Sequence, residues 1–271
     1  MGISNMDNMG SAAMITAGSF NLRFPADPAP NDWANRRSRV ADTVTALDYD
    51  IFGTQETVPE YVTYITENLP YASIGHGREP DKSGESTAIF YHPERVRLIS
   101  GETFWLSETP DEYSKSWGTV CPRIGTIGVF EDRKSGKRFI FANLHLQHME
   151  MYECQKNQLA VMFERLKKYP AELPVILTGD FNCNPEHPAA LLASEFLCDT
   201  RRVSETPAAG MQYASYHAFD LKNGFDPAGK PIDYIFISGG VRVKSFETVN
   251  NFDSNGLASS DHFPLKAEIV L

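Results

Sequence analysis

The order of strand-like and helix-like segments is the feature that most restricts the fold of this chain. Apolar alternation and short buried runs predict strands over residues 14–22, 50–55, 71–74, 86–91, 96–106, 124–130, 139–146, 174–177, 232–237, 241–249 and 263–270. Helical periodicity predicts helices over residues 33–47, 59–68, 152–169 and 188–196. Helices therefore separate some consecutive strands but not others. This pattern argues against regular β-α-β winding and favours two packed mixed sheets with helices outside them.

Nothing in the sequence divides the chain into separate domains. Its 271 residues can bury a large core, and no repeat, low-complexity tract or long Pro/Gly/Ser linker interrupts it. We expect one domain over residues 14–271, preceded over residues 1–13 by a disordered or non-native tail rich in Asn, Ser, Gly and Met. That tail lacks the basic and apolar regions of a signal peptide. No apolar run approaches the roughly 18 residues that a membrane-spanning helix needs.

Charge and cysteine content narrow the class of protein. The formal net charge is −10, so the protein as a whole repels polyanions and is unsuited to coat nucleic acid. The four cysteines show no CxxC spacing, which argues against a zinc ribbon or a thioredoxin-like motif and is compatible with a reducing compartment. We therefore expect a monomer in the cytoplasm, with export after removal of a leader as the alternative.

Polar side chains that can perform catalysis stand at the edges of the predicted strands, where side chains of different strands can converge on a cleft. Taken singly, each of them is also typical of a turn or a helix cap. Together, carboxylates, amides and imidazoles are what a metal-assisted attack of water on a phosphate requires. The residues are Asn21, Glu56, His145, Asp180, Asn182, Asp233, Asp261 and His262.

Six short motifs contain these residues and follow one another along nearly the whole chain. They are Ser19-Phe20-Asn21-Leu22, Gly53-Thr54-Gln55-Glu56, Asn143-Leu144-His145, Gly179-Asp180-Phe181-Asn182, Ile232-Asp233-Tyr234-Ile235 and Ser260-Asp261-His262. In content and order they resemble the motifs of the endonuclease/exonuclease/phosphatase superfamily of divalent-metal phosphoesterases. The segment over residues 103–110, followed by Ser116-Trp117 and Pro122-Arg123, resembles a poorly characterised microbial branch of that superfamily.

The resemblance implies an α/β fold, a four-layered α/β sandwich in which two packed mixed β-sheets are flanked by helices. The site would open at the upper edge of the two sheets. The resemblance also implies that Glu56 and Asp261 hold Mg²⁺ or Mn²⁺, with Asn21 nearby.

The remaining motif residues receive roles in catalysis from the same resemblance. Asp180 would position and deprotonate the attacking water, while Asn182 and His145 would donate hydrogen bonds to the non-bridging phosphate oxygens, where negative charge must be stabilised. His262, oriented by Asp233, would be cationic and face the phosphate or the leaving group.

Other side chains are weaker candidates for contact with substrate. Arg123 suits a phosphate clamp because its guanidinium fork matches phosphate oxygens. Trp105 and Trp117 would stack on a base or sugar, or would fill the core. Arg36, Arg37 and Arg39 form the densest basic cluster, which on a surface helix is more typical of a solvated face.

The sequence departs from the branch's pattern at two positions. Related proteins often carry Asp after the motif His-Leu and Arg near the start of the following helix, where this chain has Gln147 and Cys154. The departures put a second metal contact or a substrate contact in question and allow a shifted substrate preference.

The leading functional hypothesis is a metal-dependent hydrolase of phosphoester bonds, with a small or modest-sized phosphodiester slightly favoured as its substrate. A nuclease acting on DNA or RNA is the alternative within the same chemistry, and the net charge argues only mildly against it. A catalytically silent binding module of the same fold is the alternative from another class. The intact set of motif residues weighs against that module.

Overall fold

The computed structural model describes residues 14–148, 151–210 and 214–271. Its strands are β1 (Met14–Asn21), β2 (Ile51–Gln55), β3 (Ala72–Ile74), β4 (Ile89–Tyr91), β5 (Val96–Trp105), β6 (Ile124–Asp132), β7 (Arg138–His145), β8 (Val175–Asp180), β9 (Cys198–Asp199), β10 (Ala209–Gly210), β11 (Asp233–Ile237), β12 (Arg242–Thr248) and β13 (Leu265–Val270). Its helices are α1 (Trp33–Leu47), α2 (Pro59–Asn68), α3 (Tyr152–Leu166), α4 (Pro188–Phe196), α5 (Thr200–Val203) and α6 (Leu221–Gly224). The tail predicted over residues 1–13 lies outside the described residues.

The strands in the described part of the chain form two mixed sheets. The first sheet has seven strands in the order β10-β12-β13-β1-β2-β4-β3, and the second has six in the order β5-β6-β7-β8-β11-β9. The pairs β1–β2, β7–β8 and β10–β12 are parallel, and the other neighbours are antiparallel. The prediction of two mixed sheets is confirmed.

Side chains on the inner faces of the two sheets form a common core. Ile15 and Ile51 from the first sheet contact the cluster that includes Phe141, Ile176 and Ile235 from the second sheet, and all five are buried. Because side chains alternate between the two faces of a strand, the neighbouring residues point outward. Burial of both faces is why these strands are nearly continuous apolar runs in the sequence.

Helices cover the outer face of each sheet. Val44 of α1 and Tyr61 of α2 belong to one buried cluster with Phe52 of the first sheet. Met162 of α3 belongs to a second cluster with Leu144 of the second sheet. The order helices, sheet, sheet, helices is the expected four-layered sandwich.

Helix boundaries follow local signals with one exception. α1 begins after Asp32, whose side chain accepts a hydrogen bond from the backbone N–H of Asn35, as the sequence indicates. α3 ends at Leu166 and not at residue 169. The predicted end was wrong because the backbone N–H groups of Lys168 and Tyr169 bond three residues back, in turns that lead to a proline. No helix in the described ranges is both long and apolar enough to cross a membrane.

The inner face becomes polar toward one edge of the sandwich. Along β8 the inward residues run from Ile176 through Thr178 to Asp180, and along β7 they run through Asn143 to His145. The two sheets approach closely here, since a side chain at Gly53 would lie 2.3 Å from the Thr178 hydroxyl. The core therefore ends in a buried layer of small polar groups, with the candidate catalytic residues beyond it.

Candidate active site

Strand register places three candidate residues in one row across the second sheet. His145 of β7 pairs with Asp180 of β8 in the parallel register, and Asp233 of β11 pairs with Asp180 in the antiparallel register. Asn21 pairs with Gln55 at the end of β1 and β2 in the first sheet. The strand ends thus bring together side chains that are far apart in the sequence.

Asp180 lies at the centre of this arrangement and is 1% exposed. Its Oδ2 accepts a hydrogen bond from Asn21 Nδ2 at 3.0 Å, and its Oδ1 accepts one from the backbone N–H of Asn182 at 2.8 Å. Nε2 of His145 lies 3.6 Å from Oδ2, and Nε2 of His262 lies 3.8 Å from it. Four of the eight motif residues therefore converge on a single carboxylate.

The pKa of Asp180 is higher in the site than it is for a carboxyl group in water. Burial raises the pKa of Asp180 to about 7, and the charge of Asp233 acts in the same direction, against that of His262. A carboxyl group with a pKa near neutrality is suited to accept a proton from water.

His262 and Asp233 form a buried pair. His262 Nδ1 donates a hydrogen bond to Asp233 Oδ2 at 2.9 Å. Burial by itself lowers the pKa of His262, but the carboxylates of Asp233, Asp261 and Asp180 together outweigh it, Asp233 most of all, and the pKa rises to about 10. Ligand atoms of Asp180, Asp233 and His262 lie within 4.8 Å of one another. A protonated imidazole has no lone pair for a metal, so this group of three is better suited to charge stabilisation.

His145 has the opposite electrostatic environment. Burial keeps the pKa of His145 well below its ordinary value, and the positive charges of Arg123 and Arg78 add to the effect. The site therefore combines a neutral imidazole at His145 with a cationic one at His262.

Glu56 lies near Asp180 and is held by two donors. Its Oε1 accepts a hydrogen bond from Asn21 Nδ2 at 3.1 Å, and its Oε2 accepts one from the backbone N–H of Phe24 at 2.6 Å. The backbone of Glu56 lies in the left-handed region, with a φ of 57°. This uncommon conformation marks the point where the chain leaves β2.

One group of side chains fits a divalent cation. Ligand atoms of Glu56, His145 and Asp180 lie within 4.8 Å of one another. Ligands bound to one hard cation at 2.0–2.6 Å are at most about 5 Å apart, so the spacing suits such an ion. Asp261, which was expected beside Glu56 in the metal set, belongs to no such group in the described residues, and its Oδ2 lies 3.5 Å from Arg23 Nη1.

A cleft of about 570 Å³ is lined by six of the eight motif residues, namely Glu56, His145, Asp180, Asn182, Asp261 and His262. Asn21 and Asp233 are not among its lining residues. Sequence reasoning missed several of its wall residues, among them Arg23, Arg78 and Tyr216. The ring of Tyr216 lies 4.9 Å from that of His262, measured between centroids. Arg78 and Tyr216 lie outside the regular strands and helices, where no periodic signal could have identified them.

Comparison with known proteins identifies the family. A sequence model of the endonuclease/exonuclease/phosphatase family matches residues 18–262. This chain belongs to that family. Its enzymes generally depend on a divalent metal.

Similar proteins include solved bacterial structures. A family member from Bacteroides thetaiotaomicron is 32% identical, with a TM-score of 0.87 over 96% of this chain and 98% of that one. A mannosyl-6-phosphatase from B. thetaiotaomicron VPI-5482 is also 32% identical, with a TM-score of 0.85 over 95% of this chain and 100% of that one. Human tyrosyl-DNA phosphodiesterase 2 is 24% identical over 153 residues, which are 56% of this chain and 38% of that protein. The chain spans between 28% and 38% of the length of the curated relatives it matches.

The structure separates the three predicted substrate contacts into two groups. Arg123 lines the cleft. Trp105 and Trp117 are not among the residues that line it. The indole N–H of Trp105 donates to the backbone carbonyl of Arg78 at 2.9 Å, which holds the ring behind the cleft wall. Trp117 lines a different cavity, so the structure does not support stacking on substrate by either indole.

Gln147 and Cys154, the two positions expected to depart from the pattern of the microbial branch, are both buried. Gln147 Oε1 accepts a hydrogen bond from the Thr119 hydroxyl at 2.6 Å and another from the backbone N–H of Val120 at 3.3 Å. In this chain Gln147 therefore fixes the segment that leads to Arg123.

The basic cluster on α1 is only partly a solvated face. Arg37 is exposed, as expected, and Arg39 is half-buried. Arg36 is fully buried, so the expectation was wrong for it. Its guanidinium donates to the backbone carbonyl of Ser259 at 3.1 Å and to the Tyr61 hydroxyl at 3.0 Å. Carbonyl and hydroxyl oxygens thus satisfy the buried guanidinium of Arg36. Through these hydrogen bonds Arg36 holds together loops that border the site.

Proposed function

We propose that the protein is a divalent-metal-dependent hydrolase of phosphoester bonds. The observation that carries the proposal is the convergence of Asn21, His145, Asn182 and His262 on the buried carboxylate of Asp180. A carboxylate next to both a neutral and a cationic imidazole suits attack of water on a phosphate. A mannosyl-6-phosphatase and a tyrosyl-DNA phosphodiesterase among the similar proteins support the same reaction class.

In this reaction Asp180 orients a water molecule and accepts its proton. The water oxygen forms a bond to phosphorus while the bond from phosphorus to the alcohol oxygen breaks. The leaving oxygen departs with the bonding electron pair and takes up a proton from solvent, and the phosphate keeps the oxygen from water. The His262 imidazolium, oriented by Asp233, faces the phosphate and offsets the negative charge that develops during transfer.

Asn182 and His145 donate hydrogen bonds to the phosphate. Asn182 Nδ2 uses one hydrogen for the carbonyl of Leu146 at 3.1 Å, and its second hydrogen is available for a non-bridging oxygen. His145 is neutral and carries an N–H donor on one ring nitrogen. Both donors are fixed in advance by the fold, so little reorganisation is needed when substrate binds.

We assign Mg²⁺ or Mn²⁺ to the side of the cleft that holds Glu56. Glu56 belongs to the group whose spacing suits one cation, and Asn21 donates a hydrogen bond to it. Asp261 lies outside that group but lines the same cleft as a further carboxylate. Hard divalent cations prefer oxygen ligands of this kind. When bound, the metal supplies Lewis-acid stabilisation of phosphate charge.

We further propose that the enzyme acts as a monomer in the cytoplasm. The thiols of Cys121, Cys154, Cys183 and Cys198 are all free. Unpaired cysteines are typical of a reducing compartment.

A substrate screen with a matched pair of variants tests the proposal. The purified protein with Mg²⁺ or Mn²⁺ is offered sugar phosphates, phosphodiesters, sphingomyelin, phosphoinositides, and single- and double-stranded nucleic acids. On the best substrate, Asp180→Asn should lower kcat by at least about 10²-fold with little change in KM. The control is Asp42→Asn, which removes an exposed carboxylate on α1 and should leave kcat unchanged.

Two outcomes contradict the proposal. One is the absence of hydrolysis of every phosphoester in the panel, and the other is a folded Asp180→Asn variant with kcat close to that of the wild type. A nucleic acid as the best substrate would keep the reaction class and would identify a nuclease.

A further inference from the structure

Arg123 is a buried guanidinium without an acidic partner. Its side chain is held by one hydrogen bond, from Nη2 to Nδ1 of His148 at 3.1 Å, and the residue is 5% exposed. Its Nε is buried without a hydrogen-bond partner, and no carboxylate of the described residues lies within 4.0 Å of it. A guanidinium keeps its charge at all physiological pH values, and an unpaired buried charge is costly. The arrangement points to an anion that binds here.

The other two arginines of the cleft are already paired with carboxylates. Arg23 Nε lies 2.7 Å from Asp27 Oδ2, and Arg78 Nη2 lies 2.7 Å from Glu85 Oε1. Their charges are therefore largely neutralised within the protein. Arg123 is the cleft arginine that the described residues leave available for a ligand.

Arg123 lies beside the phosphate side of the reaction centre. It lines the main cleft, and together with His145 it lines an adjoining cavity of about 10 Å³. Both side chains also line the main cleft, and the positive charge of Arg123 helps to keep the pKa of His145 low, so the two groups are close neighbours. His145 Nε2 is itself 3.6 Å from Asp180 Oδ2. An anion bound to Arg123 in the cleft is therefore placed next to His145, where the phosphate under attack would lie.

The backbone around Arg123 is fixed before any ligand arrives. The carbonyl of Arg123 accepts a hydrogen bond from the N–H of Leu106 at 2.7 Å, which ties it to the end of β5. The preceding segment is anchored by the contact between Gln147 and Thr119. A guanidinium held in this way binds an anion with little loss of conformational freedom.

Phosphoesters differ in what they offer to such a group. A diester has two non-bridging oxygens and one negative charge, whereas a monoester has three such oxygens and a charge of about −1.5 to −2 at pH 7. The forked N–H groups of Arg match two phosphate oxygens at once. In the proposed reaction His145, Asn182 and the bound metal contact the two non-bridging oxygens that both kinds of ester have. Arg123 is then left for the third non-bridging oxygen, which only the monoester has.

We propose that Arg123 is a specificity-determining residue that pairs with the third non-bridging oxygen of a terminal phosphate. The substrate class is then a phosphomonoester, in contrast to the diester that the sequence slightly favoured. The inference rests on the proposed function of the same site and adds the kind of ester that the site selects.

Two esters with the same leaving group test the inference. The value of kcat/KM is measured for p-nitrophenyl phosphate and for methyl p-nitrophenyl phosphate with one metal at a fixed concentration. Arg123→Gln should lower kcat/KM for the monoester by at least about 10²-fold and for the diester by less than about tenfold. Arg123→Lys keeps the charge without the fork and should give an intermediate loss. The control Arg202→Gln, which removes an exposed charge of α5, should leave both values unchanged.

The outcomes separate this inference from the proposed function. Hydrolysis of both esters with an unchanged ratio in Arg123→Gln overturns the inference and leaves the proposed function intact. Failure of the wild type to hydrolyse either ester or any substrate of the panel overturns the proposed function itself. If Arg123→Gln does not fold, the inference is tested by comparing two inhibitors of the wild-type enzyme. Inorganic phosphate should then inhibit at least about tenfold more tightly than dimethyl phosphate, and equal inhibition overturns the inference.

Discussion

Replacing Asp233 by Asn should remove the charge that keeps His262 protonated, while the shape of the side chain is preserved. The two side chains are joined at 2.9 Å and are almost fully buried, so water cannot substitute for the lost charge. Asp180 and Asp261 also face His262 and raise its pKa, but the largest favourable effect comes from Asp233. The substitution therefore isolates one carboxylate among three.

The structure sets the size of the effect. The pKa of His262 rises from 6.5 to about 10 in the folded protein. At about 1.4 kcal/mol per pKa unit, this net shift corresponds to about 5 kcal/mol in favour of the protonated form, and it already includes the opposing effect of burial. If the pKa returns to its ordinary value, only about 3% of His262 is protonated at pH 8. A step that requires the imidazolium then slows by about 30-fold at that pH.

The assay is the pH dependence of kcat/KM for wild type and Asp233→Asn. The required protonated form is present below the pKa of His262 and is lost as the pH rises through it. In the wild type, kcat/KM should fall on the alkaline side toward pH 10. In Asp233→Asn this alkaline limb of the pH profile should move to lower pH. In the His262→Ala background, Asp233→Asn should lose most of its cost, because the two residues act as one unit. Costs that add independently, together with an unmoved alkaline limb, would refute the reasoning.

Three further predictions concern the metal and two buried side chains. EDTA should abolish turnover and Mg²⁺ or Mn²⁺ should restore it; full activity after exhaustive chelation would contradict the metal mechanism. Arg36→Met should lower the free energy of unfolding in urea by about 3 kcal/mol, because buried oxygens lose their donors, whereas Arg37→Met at an exposed position should change it by less than about 0.5 kcal/mol. Gln147→Leu should cost about 1–3 kcal/mol in the same measurement, since the Thr119 hydroxyl and the Val120 N–H lose their acceptor; equal stability would show that water replaces the contact.

The regular elements could be read from the sequence because their signals are local. The bounds of α1, α2 and α4 were predicted correctly from periodicity and from the Asp or Pro at their starts. The short elements β9, β10, α5 and α6 were not predicted, because two to four residues carry no periodic pattern.

The site could be predicted only in part, for a related reason. Asp180 and His145 were found because each ends an apolar run, and a strand end is visible in the sequence. The burial of Arg36 depends on Ser259, 223 positions away, and no local pattern encodes such a contact. The pairing of Arg78 with Glu85 likewise belongs to a loop. Tertiary contacts thus decide which charges are neutralised and which are left for a ligand.

The single row formed by His145, Asp180 and Asp233 has a consequence for how the enzyme can be altered. Because neighbouring strands hold these residues opposite one another, an insertion of one residue within β8 would turn Asp180 to the other face of the sheet. Insertions in the loop between β5 and β6, which ends near Arg123, leave that register untouched. Changes in this loop can therefore alter which esters the cleft accepts, while the strands keep the hydrolytic machinery in alignment.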